Sequence, residues 1–312
     1  MSLTLAQQLG YSEQDRLLII NGDDYGLSSS FNEGIEELLE ADAISSATVM
    51  MPCAFARAAA SWSAKHPQYD VGVHFTFTSE WDAYKWAPVT RNADVSSLVT
   101  SEGYFYSDCL GFEQSAAPSQ VAIELNHQIE MALHLGMKPT HADSHMGSLY
   151  GLSTGKHFLL EALDVCAHYG LPFRLPRYVN EAQQEVVPAL VAPQLAALAQ
   201  LADQKGVIIV DYLIGLPFEA REKETTDSFV QDLVDYLKKL KPGVSELIVH
   251  PSKPSAELQT FHRHASKRII EWEALQKPEL KKFLQEQHIK LIHWRDLQKL
   301  QRSNSRRSFP FS

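Results

Sequence analysis

Three things are scarce in this 312-residue sequence: cysteine, a surplus of basic residues and long apolar runs. Lysine and arginine number 28 against 38 aspartates and glutamates, which gives a formal net charge of −10. Without clustered basic side chains, the chain is a poor match for the phosphate backbone of nucleic acids or for an acidic membrane surface. No apolar run approaches the roughly 20 residues of a membrane-spanning helix. We therefore expect neither a nucleic-acid partner nor a membrane partner.

The three cysteines, Cys53, Cys109 and Cys166, are odd in number and fit neither a disulfide framework nor a zinc knuckle. Free thiols in a reducing compartment are the simplest interpretation. The first residues, MSLTLAQQLGYSEQDR, lack a cationic segment followed by an apolar run, so we expect no secretion signal. Together these features predict a cytoplasmic protein.

Short apolar runs alternate with amphipathic stretches along the whole chain, which is typical of an α/β protein with buried parallel strands. Strands are predicted at 16–22, 45–51, 70–77, 138–143, 171–176, 206–212, 244–250 and 289–294. Helices are predicted at 29–41, 53–65, 119–136, 155–169, 188–204, 226–240 and 262–287, with a short one after 294.

Eight strand–helix units in series favour a TIM-like (β/α) barrel, regular or distorted, with outer helices. An open doubly wound sheet is the alternative. We assign 1–301 to a single barrel domain. Residues 78–118 form a long connection rich in aromatic residues, which is typical of a lid or binding loop. Residues 302–312 are basic and polar and are predicted to be a flexible tail.

Two adjacent carboxylates follow the first predicted strand. Asp23 and Asp24 lie in INGDDYG, just before a predicted helix. Adjacent residues at a strand end point in different directions, so one could bind a metal while the other accepts a proton. The alternative is a simple turn in which Asp24 or Ser28 caps the helix.

Histidines mark the third and fourth predicted strands. His74 lies inside VGVHFTF, where it could be a buried core residue or a rigidly held ligand. In THADSHMG, His141, Asp143 and His145 alternate, so in extended backbone their side chains face the same side. Imidazole and carboxylate together are typical ligands of a borderline-hard divalent cation.

Ionisable residues continue along the later strands: Arg174 in FRLPR, Asp211 followed by Tyr212, and His250 in ELIVHP. Singly, each could be a surface ion pair, a turn residue or an exposed strand end. Together with the earlier residues they occupy the carboxyl ends of six predicted strands, the face on which barrel enzymes carry their chemistry. This distribution predicts an active site.

The segments INGDDYG, VGVHFTF, THADSHMG and ELIVHP resemble, in this order, the motifs of the YdjC/ChbG-like carbohydrate deacetylase family. The resemblance extends over nearly the whole chain and implies a (β/α) barrel. It implies that one divalent ion, Mg²⁺ or Zn²⁺, is held by Asp24, His74 and His145. It also implies that Asp23 is the catalytic base and His250 the general acid.

The activity implied by this resemblance is removal of an acetyl group from an N-acetylated sugar or oligosaccharide by a metal-activated water. Arg174 resembles the arginine with which related deacetylases orient the base. Residues predicted to bind the sugar are Arg174, Trp81, Trp86, Asp211 and Tyr212. The two tryptophans could stack on pyranose rings, or they could simply pack against the barrel.

The sequence also departs from the family pattern. Gly147 and Leu149 stand where many members have further histidines after the DSH motif, so the identity of the sugar stays open. Another single-metal amide or ester hydrolase and a non-catalytic sugar-binding barrel are the alternatives; retention of Asp23 and His250 argues against the second. A homo-oligomer is also left open, because such enzymes are often symmetric oligomers.

Overall fold

The structure is a computed structural model that describes residues 3–179 and 194–308. Its described strands are β1 (Arg16–Tyr25), β2 (Ser46–Val49), β3 (Asp70–Phe75), β4 (Ala142–Ser144), β5 (Tyr212–Ile214), β6 (Gly243–Val249) and β7 (Ile289–Leu291). Its described helices are α1 (Leu5–Gln8), α2 (Ser29–Glu40), α3 (Ala56–Lys65), α4 (Cys109–Ser115), α5 (Pro118–His134), α6 (Leu159–Tyr169), α7 (Leu195–Lys205), α8 (Thr226–Lys238), α9 (Ala256–Phe261), α10 (Ala265–Leu275), α11 (Pro278–Glu286) and α12 (Trp294–Ser308).

All pairings between these strands are parallel, in the order β4-β3-β2-β1-β6-β5. The sheet curls into a half-barrel surrounded by helices. Helices cover the outer side of the half-barrel, and β1, β2 and β3 are buried along nearly their whole length. Strands buried on both faces are nearly continuous apolar runs. The predicted α/β class and distorted (β/α) barrel are confirmed.

The gap between β4 and β5 is spanned by an irregular segment. Phe173 forms a single bridge to Ala142 of β4, and Pro176 forms another to Val210. The amide of Arg174 donates to the Ala142 carbonyl at 3.0 Å. The predicted strand at 171–176 is therefore not a regular strand, because its two prolines supply no N–H for a continuous ladder.

The last predicted strand also differs from its expected place. β7 pairs with the first residues of β1, where Arg16 is opposite Ile289 and Leu18 is opposite Leu291. Because β6 pairs with β1 on its other edge, β7 does not lie between the two as an eighth barrel strand would. The last strand therefore does not close a regular ring of eight, and the barrel is of the distorted kind that the sequence analysis allowed.

The aromatic connection 78–118 is packed against the barrel. It contains α4 and a single 3₁₀ turn, and its side chains Trp86, Leu98, Phe105 and Phe112 are buried. All three cysteines are buried and free.

The tail 302–312 was predicted to be flexible. In the structure, α12 continues past the expected boundary at 301 and is helical as far as Ser308. Residues 309–312 lie outside the described residues, as do residues 188–193 of the predicted helix 188–204. Of the helices in the described ranges, none is long and apolar enough to cross a bilayer.

Candidate active site

The two adjacent aspartates at the end of β1 are both buried, yet they point to different partners. Asp24 has a φ of 62°, the left-handed conformation that Asp tolerates better than most residues. This turn of the backbone sends Asp23 towards Arg174 and Asp24 towards two histidines. Ser28 caps α2 through its hydroxyl, which leaves Asp24 free of that role. Unusual backbone conformations of this kind concentrate at functional sites.

A carboxylate oxygen and two imidazole nitrogens converge beside this turn. Oδ1 of Asp24 lies 3.2 Å from Nδ1 of His145 and 3.4 Å from Nε2 of His74. The two nitrogens are themselves 3.3 Å apart. Oδ1 of Asp24 is buried and has no hydrogen-bond partner of acceptable geometry. A buried carboxylate oxygen without a partner is costly, so this arrangement fits a divalent cation held by two nitrogens and one oxygen.

Among the described residues, a second group of suitable atoms is formed by Asp23, His74 and Asp143. This group is a poorer metal site because its carboxylates are already engaged. Arg174 donates to both oxygens of Asp23 at 2.7 Å and forms an ion pair with Asp143 at 2.8 Å. Asp24, His74 and His145 therefore form the better candidate group for a divalent metal.

In each of the two histidines, the outer ring nitrogen, which is the one that faces away from Asp24, contacts a second carboxylate. Nδ1 of His74 lies 2.6 Å from Asp143, and Nε2 of His145 lies 3.1 Å from Glu80. Burial by itself lowers the pKa of His74, but Asp143 and Asp23 raise it to about 9. Burial also lowers the pKa of His145, but Glu80 and Asp24 raise it to about 10. Carboxylate partners of this kind fix the ring and tautomer of metal-binding histidines.

Asp23 is held as an ionised carboxylate. Besides the two bonds from Arg174, its Oδ1 accepts from the side-chain amide of Asn21 at 2.8 Å. Burial would raise the pKa of Asp23, but Arg174 and His74 hold it well below its ordinary value. An ionised carboxylate beside the candidate metal group is in the protonation state that a general base requires.

His250 follows β6 and lies beside Asp23, with its Nε2 4.0 Å from Oδ2 of the aspartate. Its side chain is 21% exposed, more than any of the buried carboxylates around it. Burial and the nearby Arg268 lower the pKa of His250, which makes its protonated form a stronger acid.

Arg174 was predicted both to bind the sugar and to orient the base. It is 2% exposed, and its guanidinium is occupied by Asp23, Asp143 and Glu246. The prediction that it orients the base agrees with these contacts. Burial raises the pKa of Glu246 to about 7 despite the opposing effect of Arg174.

Asp211 and Tyr212 are not part of this cluster, contrary to the sequence prediction. β5 starts at Tyr212, which is the last residue of the predicted strand 206–212. Asp211 and Tyr212 therefore stand where a strand begins and not where one ends. Tyr212 pairs with Ser245. His250, which directly follows β6, lies five residues beyond Ser245. Five residues correspond to roughly 16 Å at the rise of a strand. Asp211 instead accepts the amide N–H of Val244 at 2.9 Å.

Trp81 and Trp86 lie beside the cluster but are each only 3% exposed. The ring of Trp81 packs on His262 with centroids 4.4 Å apart. The indole N–H of Trp86 donates to the carbonyl of Thr78 at 2.7 Å, and its ring meets His145 edge-on. Their buried faces leave little surface for stacking on a sugar, so these positions favour the packing alternative.

Sequence reasoning gave no role to Glu246 and Glu80, and it noted Asp143 only for its alternation with two histidines. The alternation of His141, Asp143 and His145 was a usable signal for Asp143. The signal for Glu246 was a charged residue inside the apolar strand GVSELIV. Glu80 gave no signal, because only the folded connection brings it to His145.

Comparison with known proteins agrees with this geometry. The family model described as YdjC-like protein matches residues 17–286. Relatives named carbohydrate deacetylase include one from Thermus thermophilus, 29% identical over 92% of this chain and 96% of its own. A second, from Brevibacillus brevis, is 29% identical over 90% and 99%.

A relative named chitooligosaccharide deacetylase, from Proteus mirabilis, is 26% identical over 90% of this chain and 98% of its own. Among solved structures, an Enterococcus faecalis V583 protein named for cellobiose-phosphate cleavage superposes with a TM-score of 0.71. It is 26% identical and covers 91% of this chain and 99% of its own. The resemblance inferred from the four motifs is confirmed, and the chain belongs to the YdjC-like family.

Proposed function

We propose that this protein is a metal-dependent carbohydrate deacetylase that hydrolyses the N-acetyl amide of a sugar or oligosaccharide. One observation carries the proposal: an unpartnered Asp24 oxygen and two imidazole nitrogens converge next to Asp23, a carboxylate that Arg174 keeps ionised. The names of the relatives, carbohydrate deacetylase and chitooligosaccharide deacetylase, support the same reaction class.

The residues that would hold the ion are Asp24, His74 and His145. A bound divalent ion supplies Lewis acidity, which lowers the pKa of water and polarises a carbonyl group. One carboxylate with two histidines suits Zn²⁺, and the carboxylate-rich surroundings also suit Mg²⁺. We propose one such ion per chain, and metal analysis of purified protein would identify it.

Asp23 would take the proton of the water that attacks the acetyl carbon. Two parallel bonds from Arg174 stop the carboxylate from rotating, and the low pKa of Asp23 keeps it unprotonated in the resting protein. A bidentate guanidinium–carboxylate pair gives both charge stabilisation and a defined orientation.

His250 would give a proton to the amine as the carbon–nitrogen bond breaks. The water oxygen then remains on the acetyl carbon, and the products are acetate and a free amino sugar. Both proton-transfer groups face the same cluster, with Oδ2 of Asp23 4.0 Å from Nε2 of His250. A positioned acid or base typically contributes about 10²–10⁴-fold to such a reaction.

The same site could cleave a different amide or an ester, and a barrel of this kind could bind sugar without turning it over. The presence of both Asp23 and His250 disfavours the second alternative. The first is distinguished by measuring acetate release from N-acetylglucosamine, its short β-1,4 oligomers and an O-acetylated sugar.

We expect release from at least one N-acetylated sugar, and release slowed by about 10²–10⁴-fold in a variant that lacks Asp23. Hydrolysis of the O-acetyl compound alone would favour an esterase. Binding of the oligomers without any release would favour the non-catalytic barrel.

The remaining parts of the proposal are the identity of the sugar, the cellular location and the oligomeric state. The identity of the sugar stays open, because Gly147 and Leu149 change one side of the site relative to many family members. The cytoplasmic location and the homo-oligomer stay predictions, which localisation and light scattering would test.

A further inference from the structure

The two histidines of the metal site have outer carboxylates of very different origin. Asp143, which contacts His74, lies on β4, is completely buried, and accepts a hydrogen bond from Thr48 at 2.9 Å. Glu80, which contacts His145, lies on the aromatic connection after β3, and its side chain is 14% exposed. The first pair belongs to the barrel, whereas the second joins the barrel to the connection.

Glu80 stands on a firmly braced piece of that connection. On one side, the amide of Ser79 donates to the carbonyl of Tyr106 at 2.8 Å, and the Ser79 hydroxyl accepts the amide of Trp86 at 3.0 Å. On the other side, Trp81 is packed against His262. The backbone on both sides of Glu80 is therefore anchored, and its carboxylate has a defined position.

This position has a chemical consequence for His145. A neutral imidazole carries one proton, and the nitrogen without the proton is the one that binds a metal. Donation of Nε2–H to Glu80 at 3.1 Å leaves the lone pair of Nδ1 facing Asp24, 3.2 Å away. If Glu80 were absent, the ring could hold its proton on either nitrogen and could rotate.

We propose that Glu80 is a positioning residue that fixes the tautomer and ring orientation of His145 and thereby couples the aromatic connection to metal affinity. The inference rests on the metal site of the proposed function. Glu80 contacts His145 and no group assigned to proton transfer, so we expect it to affect metal binding much more than the chemical step at saturating metal.

The test compares Glu80→Ala and Glu80→Gln with Asp82→Asn. Asp82 is a matched control because it is an acidic residue of the same connection, with a side chain 97% exposed. The Zn²⁺ dissociation constant of each metal-stripped, folded protein is measured by chelator competition, together with the ¹⁵N shifts of the His145 ring.

Loss of an outer carboxylate partner typically weakens metal binding about 10–100-fold, and we expect a loss of that size for Glu80→Ala. Glu80→Gln should lose less, because its amide oxygen can still accept from Nε2–H. Asp82→Asn should match the parent protein. In the zinc-loaded parent, the ring shifts of His145 should report a metal-bound Nδ1 and a protonated Nε2, and Glu80→Ala should add a second set in which the two nitrogens exchange roles.

Parent-like zinc affinity in both Glu80 variants would overturn the inference while leaving the proposed function intact. The same holds if affinity falls only in proportion to a lower thermal stability of the metal-free variant, with unchanged ring shifts. If Glu80→Ala does not fold, the affinity and ring shifts of Glu80→Gln decide between these results. A parent protein that binds no divalent ion would overturn the proposed function and this inference together.

Discussion

The two ends of the barrel use buried aspartates in opposite ways. At the carboxyl ends of the strands, Oδ1 of Asp24 has no hydrogen-bond partner of acceptable geometry and faces two imidazoles. At the amino end of β6, Asp211 is also buried, but its oxygen accepts the Val244 amide and packs tightly against Gly243. A Cβ on that glycine would lie 2.7 Å from the Asp211 carboxylate.

This difference separates functional burial from structural burial. Burial disfavours the charged form of both carboxylates. It raises the pKa of Asp211 and opposes the ionisation of Asp24. At Asp211 a backbone N–H offsets the penalty, whereas at Asp24 the histidines do so and lower its pKa well below the ordinary value. The candidate ligand-binding end is thus recognised by a buried carboxylate that faces imidazoles, whereas the structural one faces a backbone N–H.

The largest effect is expected from Asp24→Asn. Asn tolerates the left-handed conformation of this position, so the variant should fold while losing the charged metal ligand. We expect loss of bound metal and of acetate release to below detection, measured by metal analysis and by the acetate assay. Asp42→Asn is the matched control, since Asp42 is an exposed aspartate with a φ of 52°, and it should behave like the parent. Metal retention at parent level in Asp24→Asn would refute the ligand assignment.

Asp23→Asn should separate metal binding from chemistry at the same end of the barrel. Its amide cannot accept the water proton, so kcat should fall by about 10²–10⁴-fold. Metal content should stay near that of the parent, because Asp24, His74 and His145 are untouched. Near-normal turnover by this variant would show that another group is the base.

Metal affinity should rise with pH, because protons and metal compete for His74 and His145. Their pKa values of about 9 and about 10 mean that both hold extra protons in the metal-free protein at neutral pH. Each proton displaced makes affinity increase about tenfold per pH unit below these values, and the increase should end above them. Calorimetry in buffers of different ionisation enthalpy should detect proton release. Constant affinity between about pH 6 and about pH 8 would contradict these pKa shifts.

The smallest effect on activity is expected at the other end, from Asp211→Ala. This change leaves the buried Val244 amide without an acceptor, which should lower the free energy of unfolding by about 1–3 kcal/mol. Turnover and metal content of the folded protein should be unchanged. Chemical denaturation and the acetate assay measure the two quantities, and a large loss of kcat without loss of stability would place Asp211 in the site after all.

The sequence located the residues that lie at strand ends because parallel strands bring their carboxyl ends to one face. Asp23, Asp24, His74, His145 and His250 come together for this reason. Asp211 was misplaced because the predicted strand ended where β5 in fact begins, and such a shift exchanges one end of the barrel for the other.

Contacts that depend on distant segments were beyond the reach of sequence patterns, even where the residue itself had been singled out. Arg174 lies in a proline-interrupted segment whose pairing depends on both β4 and the residues before β5. Glu80 reaches His145 only because the connection around it is anchored to Tyr106 and Trp86. Neither arrangement leaves a periodic trace in the sequence, since each depends on contacts between distant segments.

The central claim is that Asp24, His74 and His145 hold a divalent ion needed for deacetylation. Its most direct test is acetate release from an N-acetylated sugar by protein that is stripped with a chelator, dialysed and then titrated with Mg²⁺ or Zn²⁺. We predict no release from the stripped protein and recovery that saturates at one ion per chain. Full activity of the stripped protein, with no bound metal detected, would contradict the account.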